Sequence, residues 1–258
     1  MSRFLDALRE RVVLGDGAMG TELLARGARS NNSLARLNLS DASLVFQIHR
    51  EYVASGAELL RTNTFTANRL RMPPELVEAA NSSGVLLAQG AGEFSRIIAG
   101  SVGPLHDLEA DEDEKLFAYR EQCEILADKG CDLILLETFG ETSDLRLALM
   151  AADRTELPVV AHMTSAPTSL PGDVEAKNLV ALGINCVPCD AALSNLRGIV
   201  TKKWIATFPS AGKPDACQSA EEFAEQAALL VDAGVRLIGG CCGTTPAHIR
   251  ALARRLGR

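Results

Sequence analysis

This sequence predicts an α/β protein, a closed (β/α)8 barrel of the TIM type in one domain spanning 1–258, and three observations predict it. Eight apolar runs of strand length recur: Val12–Leu14, Ala57–Thr62, Arg96–Ser101, Cys131–Glu137, Pro158–Thr164, Leu182–Cys186, Trp204–Phe208 and Val235–Gly239. Segments of helical periodicity separate them, such as Leu44, Ile48, Tyr52 and Leu116, Tyr119, Cys123, Leu126. The unusual polar residues fall directly after the runs: Asp16, Asn63, Glu137, Cys186 and the pair Cys241, Cys242. In a parallel barrel those positions share one rim, the face on which such barrels build their sites.

Taken in chain order, the charged start Met1 to Arg11 lacks the apolar region of a signal peptide. The first run leads into Gly15-Asp-Gly-Ala-Met-Gly20, which satisfies G-x-G-x-x-G. A dinucleotide site needs a helix opening within that motif and an acid after the next strand. Here Thr21-Glu-Leu-Leu24 supplies a turn or two of helix and the second run ends in Thr62-Asn63-Thr64 without an acid, which argues against nucleotide binding. The other use of such a loop is the buried carboxylate of Asp16 beside N–H groups freed by glycine. That pairing suits an ammonium and a carboxylate together, as on an α-amino acid.

The fourth run ends in Leu133-Ile-Leu-Leu-Glu137, with no cation nearby in sequence. A carboxylate there is either a solvated rim residue or a costly buried one that serves a ligand. Ser165 to Gly172 reads as an ordinary loop. Ser219-Ala-Glu-Glu222 is a capping box ahead of a helix, and Thr245-Pro246 is an N-cap with proline at the first helical position. His49 and His248 fall on predicted helices, His106 in a loop and His162 in a strand, none at metal-ligand spacing.

Composition excludes several classes. The 258 residues, 47% hydrophobic, suffice for one large core. With 33 acidic against 26 basic side chains the formal charge is −7, which disfavours a nucleic acid or an anionic membrane as partner. No stretch approaches the roughly 20 apolar residues of a membrane span, so the expected compartment is the cytoplasm. Seven cysteines without framework spacing point to metal-bound, catalytic or inertly buried thiols rather than disulfides.

Gly239-Gly-Cys-Cys-Gly243 follows the last apolar run, and Cys186 ends the sixth. Neighbouring side chains of a regular strand face opposite ways, so Cys241 and Cys242 can share a ligand only where glycine breaks the strand. Three soft thiolates gathered at one point select zinc and leave a coordination position open. Cys186-Val-Pro-Cys189 is also a literal C-x-x-C, so a closed four-thiolate site with Cys189, or a redox pair, stays an alternative. A further alternative is a barrel enzyme that binds a phosphate ester on its glycine-rich loops. Cys123, Cys131 and Cys217 read as helix face, strand start and loop.

Gly15-Asp-Gly-Ala-Met-Gly-Thr21, Thr62-Asn-Thr-Phe65, Gly100-Ser-Val-Gly-Pro104, Glu137-Thr-Phe139, Asn185-Cys186 and Gly239-Gly-Cys-Cys-Gly243 together resemble the zinc-dependent homocysteine S-methyltransferase family. The likeness is closer to the homocysteine module of cobalamin-dependent methionine synthases than to the betaine-using branch. It implies zinc on Cys186, Cys241 and Cys242. It also implies that Asp16, the N–H groups of Gly17 and Ala18, Asn63 and Glu137 hold the amino acid end of homocysteine. The chain departs from the pattern in a short Thr164-to-Cys186 segment, which implies a truncated helix, in the Val-Pro-Cys after Cys186, and in serine at Ser210. The implied reaction moves a methyl group onto a zinc-held thiolate to form methionine. The donor would be S-methylmethionine, S-adenosylmethionine or a methyl-corrinoid on a partner protein.

Overall fold

In the computed structural model, which describes residues 2–29, 33–165, 176–199, 201–213 and 216–258, each of the eight apolar runs contributes one strand of a parallel sheet. The strands are β1 (Val13–Leu14), β2 (Leu59–Arg61), β3 (Ile97–Val102), β4 (Leu133–Phe139), β5 (Val159–Met163), β6 (Leu179–Asn185), β7 (Trp204–Phe208) and β8 (Val235–Ile238). Their order is β1-β8-β7-β6-β5-β4-β3-β2. A parallel bridge between Gly15 and Leu59 joins the two ends, with Asp16 N–H donating to Leu59 O at 3.0 Å. The sheet therefore closes on itself.

Ten α-helices lie among the described residues: α1 (Arg3–Glu10), α2 (Gly20–Ala25), α3 (Leu37–Ser40), α4 (Ala42–Ala54), α5 (Pro74–Ala91), α6 (Glu112–Asp128), α7 (Thr142–Ala152), α8 (Cys189–Leu196), α9 (Ala220–Asp232) and α10 (Pro246–Arg255). Ser219 and Glu222 form the capping box expected for α9, and Thr245 caps α10 through His248. The truncated helix and the loop expected between β5 and β6 fall largely on residues 166–175, outside the described residues. A two-stranded ribbon, Gly212–Lys213 against Ala216–Cys217, follows β7, so Cys217 lies in a ribbon rather than in a plain loop. No helix among the described residues is long and apolar enough to cross a membrane.

Strand alternation sorts the core into two layers. Val13, Leu59, Ile97, Ala99, Leu133, Leu135, Val160, Ala181, Ala206 and Leu237 fill the barrel, and Phe4, Ala7 and Leu8 of α1 plug its N-terminal end. Ile134 and Leu136 face the other way, into the layer shared with the helices. Arg3 fastens the plug with two hydrogen bonds to Asp132, at 2.7 and 2.8 Å. Two residues beyond the apolar layer, on the same alternation, come Arg61, Ser101, Glu137 and His162. The barrel interior thus turns from apolar to polar at the C-terminal end.

Candidate active site

The thiol loop is held by the strands around it. Gly240 N–H donates to Asp16 O at 2.9 Å and Cys241 N–H to Pro209 O at 2.7 Å. The Cys242 carbonyl accepts from Ala211 N–H at 3.0 Å and from Ser210 Oγ at 2.9 Å. β8 has already ended at Ile238, and Gly243, with φ 78°, takes a left-handed conformation directly after the two cysteines. A Cβ on Gly239 would stand 2.1 Å from Phe208 Cε1, so only glycine lets this strand end pass the ring.

Cys186 comes to the same point with φ 60°. Its Sγ lies 3.3 Å from Cys242 Sγ, and the three sulfurs of Cys186, Cys241 and Cys242 all lie within 4.8 Å of one another. Hydrogen bonds from Cys186 and Cys241, with the charge of Arg61 nearby, pull the Cys242 thiol down to about 3. Hydrogen bonding with Cys186 and Cys242, together with burial, pushes Cys241 well up. Cys189 is not in this group: it is buried on the first turn of α8 in the layer between sheet and helices. That leaves the closed four-thiolate alternative without its fourth ligand.

The residue that sequence reasoning missed is Arg61. Its Nε donates to Asp16 Oδ1 at 2.7 Å and its backbone N–H to Asp16 Oδ2 at 2.9 Å. Its Nη1 donates to Glu137 Oε2 at 2.9 Å and its Nη2 to the carbonyls of Gly17 and Gly240. The guanidinium stacks 4.6 Å from the centre of the Phe208 ring. Burial works against its charge, but Asp16 and then Glu137 outweigh that and raise it well above the ordinary arginine range. Ser101 Oγ donates to the other oxygen of Glu137. The costly buried carboxylate foreseen at Glu137 therefore has a cation, one brought from a different strand.

The expected ligand contacts change accordingly. Asp16 gives both oxygens to Arg61, and Ala18 N–H already donates to Thr244 Oγ1 at 3.0 Å. A cavity of about 590 Å³ opens at the rim, lined by Ala18, Asn63, Glu137 and all three cysteines, and also by Arg61, Ser101 and Thr138. Asp16 and Gly17 are not on its wall. Asn63 Nδ2 is committed to Leu34 O and Asn38 Oδ1, both at 3.0 Å. Among the described residues Arg61 is the only cation on this wall, and it is bound to two acids, which does not suit a phosphate ester. His49 and His162 are fully buried with neither ring nitrogen partnered among the described residues, and burial, with Arg61 second, lowers each to about 3.

Comparisons with known proteins agree with this geometry. A family model described as homocysteine S-methyltransferase matches residues 13–256. The chain is 33% identical to the methionine synthase of Mycobacterium tuberculosis over 298 aligned positions, covering 96% of this chain and 25% of that protein. It is 30% identical to the homocysteine S-methyltransferase of Escherichia coli, covering 96% of each. The crystal structure of the homocysteine methyltransferase MmuM from Escherichia coli, metallated form, superposes with a TM-score of 0.81 at 27% identity, covering 98% of both chains. The chain thus spans about a quarter of the length of the methionine synthases it matches and nearly all of the Escherichia coli enzyme.

Proposed function

The chain belongs to the homocysteine S-methyltransferase family, and from that membership we propose that residues 1–258 form one barrel domain that methylates the sulfur of homocysteine to give methionine. The observation that carries this reading is the convergence of Cys186, Cys241 and Cys242 on the wall of the cavity that Arg61 and Glu137 also line.

The donor set fits zinc. Tetrahedral coordination at about 2.3 Å per sulfur requires sulfurs roughly 3.8 Å apart, and the three here, within 4.8 Å, need only small rotamer shifts to reach it. Three protein ligands leave a fourth position for the acceptor. Zinc, when bound, supplies a Lewis acid that keeps an aliphatic thiol, ordinarily near pKa 8.5, deprotonated at neutral pH. The protein then needs no general base.

The chain's own residues orient and insulate. Glu137 and Arg61 meet the amino acid end of homocysteine, Asp16 acts by holding Arg61, and Asn63 fixes the adjoining wall through Leu34 and Asn38. The acceptor sulfur forms its bond to the methyl carbon as the donor's bond to that carbon breaks, and methionine leaves as a neutral thioether. Among the described residues Phe65 is the only aromatic side chain on the cavity wall, which disfavours a caged quaternary ammonium donor such as betaine. A reducing cytoplasm is the compartment we propose, on seven cysteines without framework spacing.

The test is methionine formation from homocysteine with S-methylmethionine, S-adenosylmethionine or a methyl-corrinoid protein as donor, with zinc content measured on the same preparation. Activity with one donor, lost together with zinc in Cys241→Ala, is expected. Equal activity in that variant would exclude the thiolate site.

A further inference from the structure

We infer that Asn185 sets the distance between the two ends of the acceptor site, and thereby the length of the thiol compound accepted; this rests on the acceptor reading above. Asn185 ends β6, is fully buried and directly precedes Cys186. Its Oδ1 accepts from Thr138 N–H and its Nδ2 donates to Thr138 Oγ1, both at 3.0 Å. Thr138 directly follows Glu137, whose carboxylate meets Arg61 and Ser101. One buried amide therefore ties the neighbour of a sulfur ligand to the neighbour of the acid that holds Arg61 on the same cavity wall.

The tie is built against local preference. Strands β4 and β6 are not neighbours, because β5 lies between them. The β4–β5 register shifts between Leu136 and Phe139, and within that break the Thr138 N–H goes to Asn185. Thr138 (φ 70°) and Cys186 (φ 60°) are both left-handed without being glycine. A residue other than glycine, and the β-branched Thr138 above all, holds that conformation only where its surroundings over-determine it. Two such residues, one on each side of a doubly hydrogen-bonded side chain, form a spacer of fixed length.

A thiol acceptor spans this spacer. Its sulfur must reach the point shared by Cys186, Cys241 and Cys242 while its other end reaches Glu137 and Arg61. Cysteine is one methylene shorter than homocysteine, and a rigid site discriminates one methylene by about 10- to 200-fold. A slackened spacer loses that discrimination, whereas a merely weakened fold weakens both acceptors alike.

The experiment uses cobalt-substituted and zinc-loaded protein as wild type, Asn185→Ala, Thr138→Val and Thr138→Ser. Homocysteine and cysteine are titrated against the thiolate-to-cobalt absorption, and kcat/KM is measured for both. The wild type should prefer homocysteine at least tenfold. Asn185→Ala and Thr138→Val should keep one metal per chain and lower that preference at least fivefold, while Thr138→Ser, which keeps both hydrogen bonds, preserves it. A preference unchanged within twofold in Thr138→Val and in whichever Asn185→Ala protein folds, or a wild-type preference below threefold, overturns the inference. A wild-type spectrum that homocysteine leaves unaltered would instead remove the acceptor reading itself.

Discussion

Arg61 and Asp16 are joined twice, side chain to side chain at 2.7 Å and backbone N–H to carboxylate at 2.9 Å, with side chains only 9% and 2% exposed. Glu137 completes the group at 2.9 Å. Removing the cation strands two buried acids, a change that costs about 3–5 kcal/mol where a buried pair is broken. Arg61→Leu should therefore lose stability of that order at pH 7 in urea unfolding. Burial already raises Asp16 in the wild type against the pull of Arg61, and loss of the guanidinium raises it further, so the folded variant binds more protons than the unfolded chain. The contribution of Asp16 is then present at low pH and lost as pH rises. The deficit against wild type should grow from pH 5 to pH 7, and a small, flat deficit would show that the acids are solvated.

The protons released by metal binding follow from the same site. At pH 7 Cys242, at about 3, is already a thiolate, whereas Cys186, pushed up to about 11, and Cys241, held well above the ordinary thiol range by its bonds to the other two and by burial, carry their protons. Thiolates are the ligands. Zinc added to metal-free protein at pH 7 should release about two protons, read by calorimetry in buffers of different ionisation enthalpy. Release of three would mean that Cys242 is not held ionised by its neighbours.

Acid should unfold this barrel partly through its interior histidines. His49 and His162 are lowered from 6.5 to about 3 by burial and by Arg61, so the unfolded chain binds their protons first. Stability is full above the unfolded pKa of about 6.5 and declines as pH falls towards 3, by about 1.4 kcal/mol per pH unit for each imidazole. In His162→Leu the stability difference from wild type should move in the variant's favour by about that slope between pH 6 and pH 4. Parallel curves for the two proteins would show that His162 is protonated in the folded state.

The parts legible in the sequence are those with a local signal. Eight apolar runs give eight strands because a buried parallel strand is a continuous run of its own kind, and the thiols were visible because glycine beside cysteine marks a broken strand end. Arg61 was not read because its partners are 45 and 76 residues away and meet it only through barrel closure. Its trace was nonetheless present: Leu59 and Arg61 share a face, so the cation within that run had to point into the barrel. Asn185 and Thr138 both stand in motifs of the sequence, but nothing there shows that they meet, since the tie depends on a register break in β4. The plug formed by Phe4 and Leu8 is masked in the sequence by the charged residues that surround both. The Gly212–Lys213 ribbon has strands too short to carry any period.

Gly239 is where fold and site can be separated. An added methyl would stand 2.1 Å from Phe208 Cε1 and 2.7 Å from Asp16 O, and Phe208 is the ring beneath Arg61. The carbonyl cannot yield without pulling β1 from β8, so the ring must move, and overpacking of this kind costs typically 1–3 kcal/mol. Gly239→Ala should therefore be destabilised by about that much and bind zinc more weakly, because Cys241 lies two residues on. Trimming the ring makes room: Gly239→Ala combined with Phe208→Leu should recover more stability than the two single changes predict when added. Urea unfolding of the four proteins completes the cycle, and simple additivity would mean that the glycine is needed for the carbonyl of Asp16 rather than for the ring.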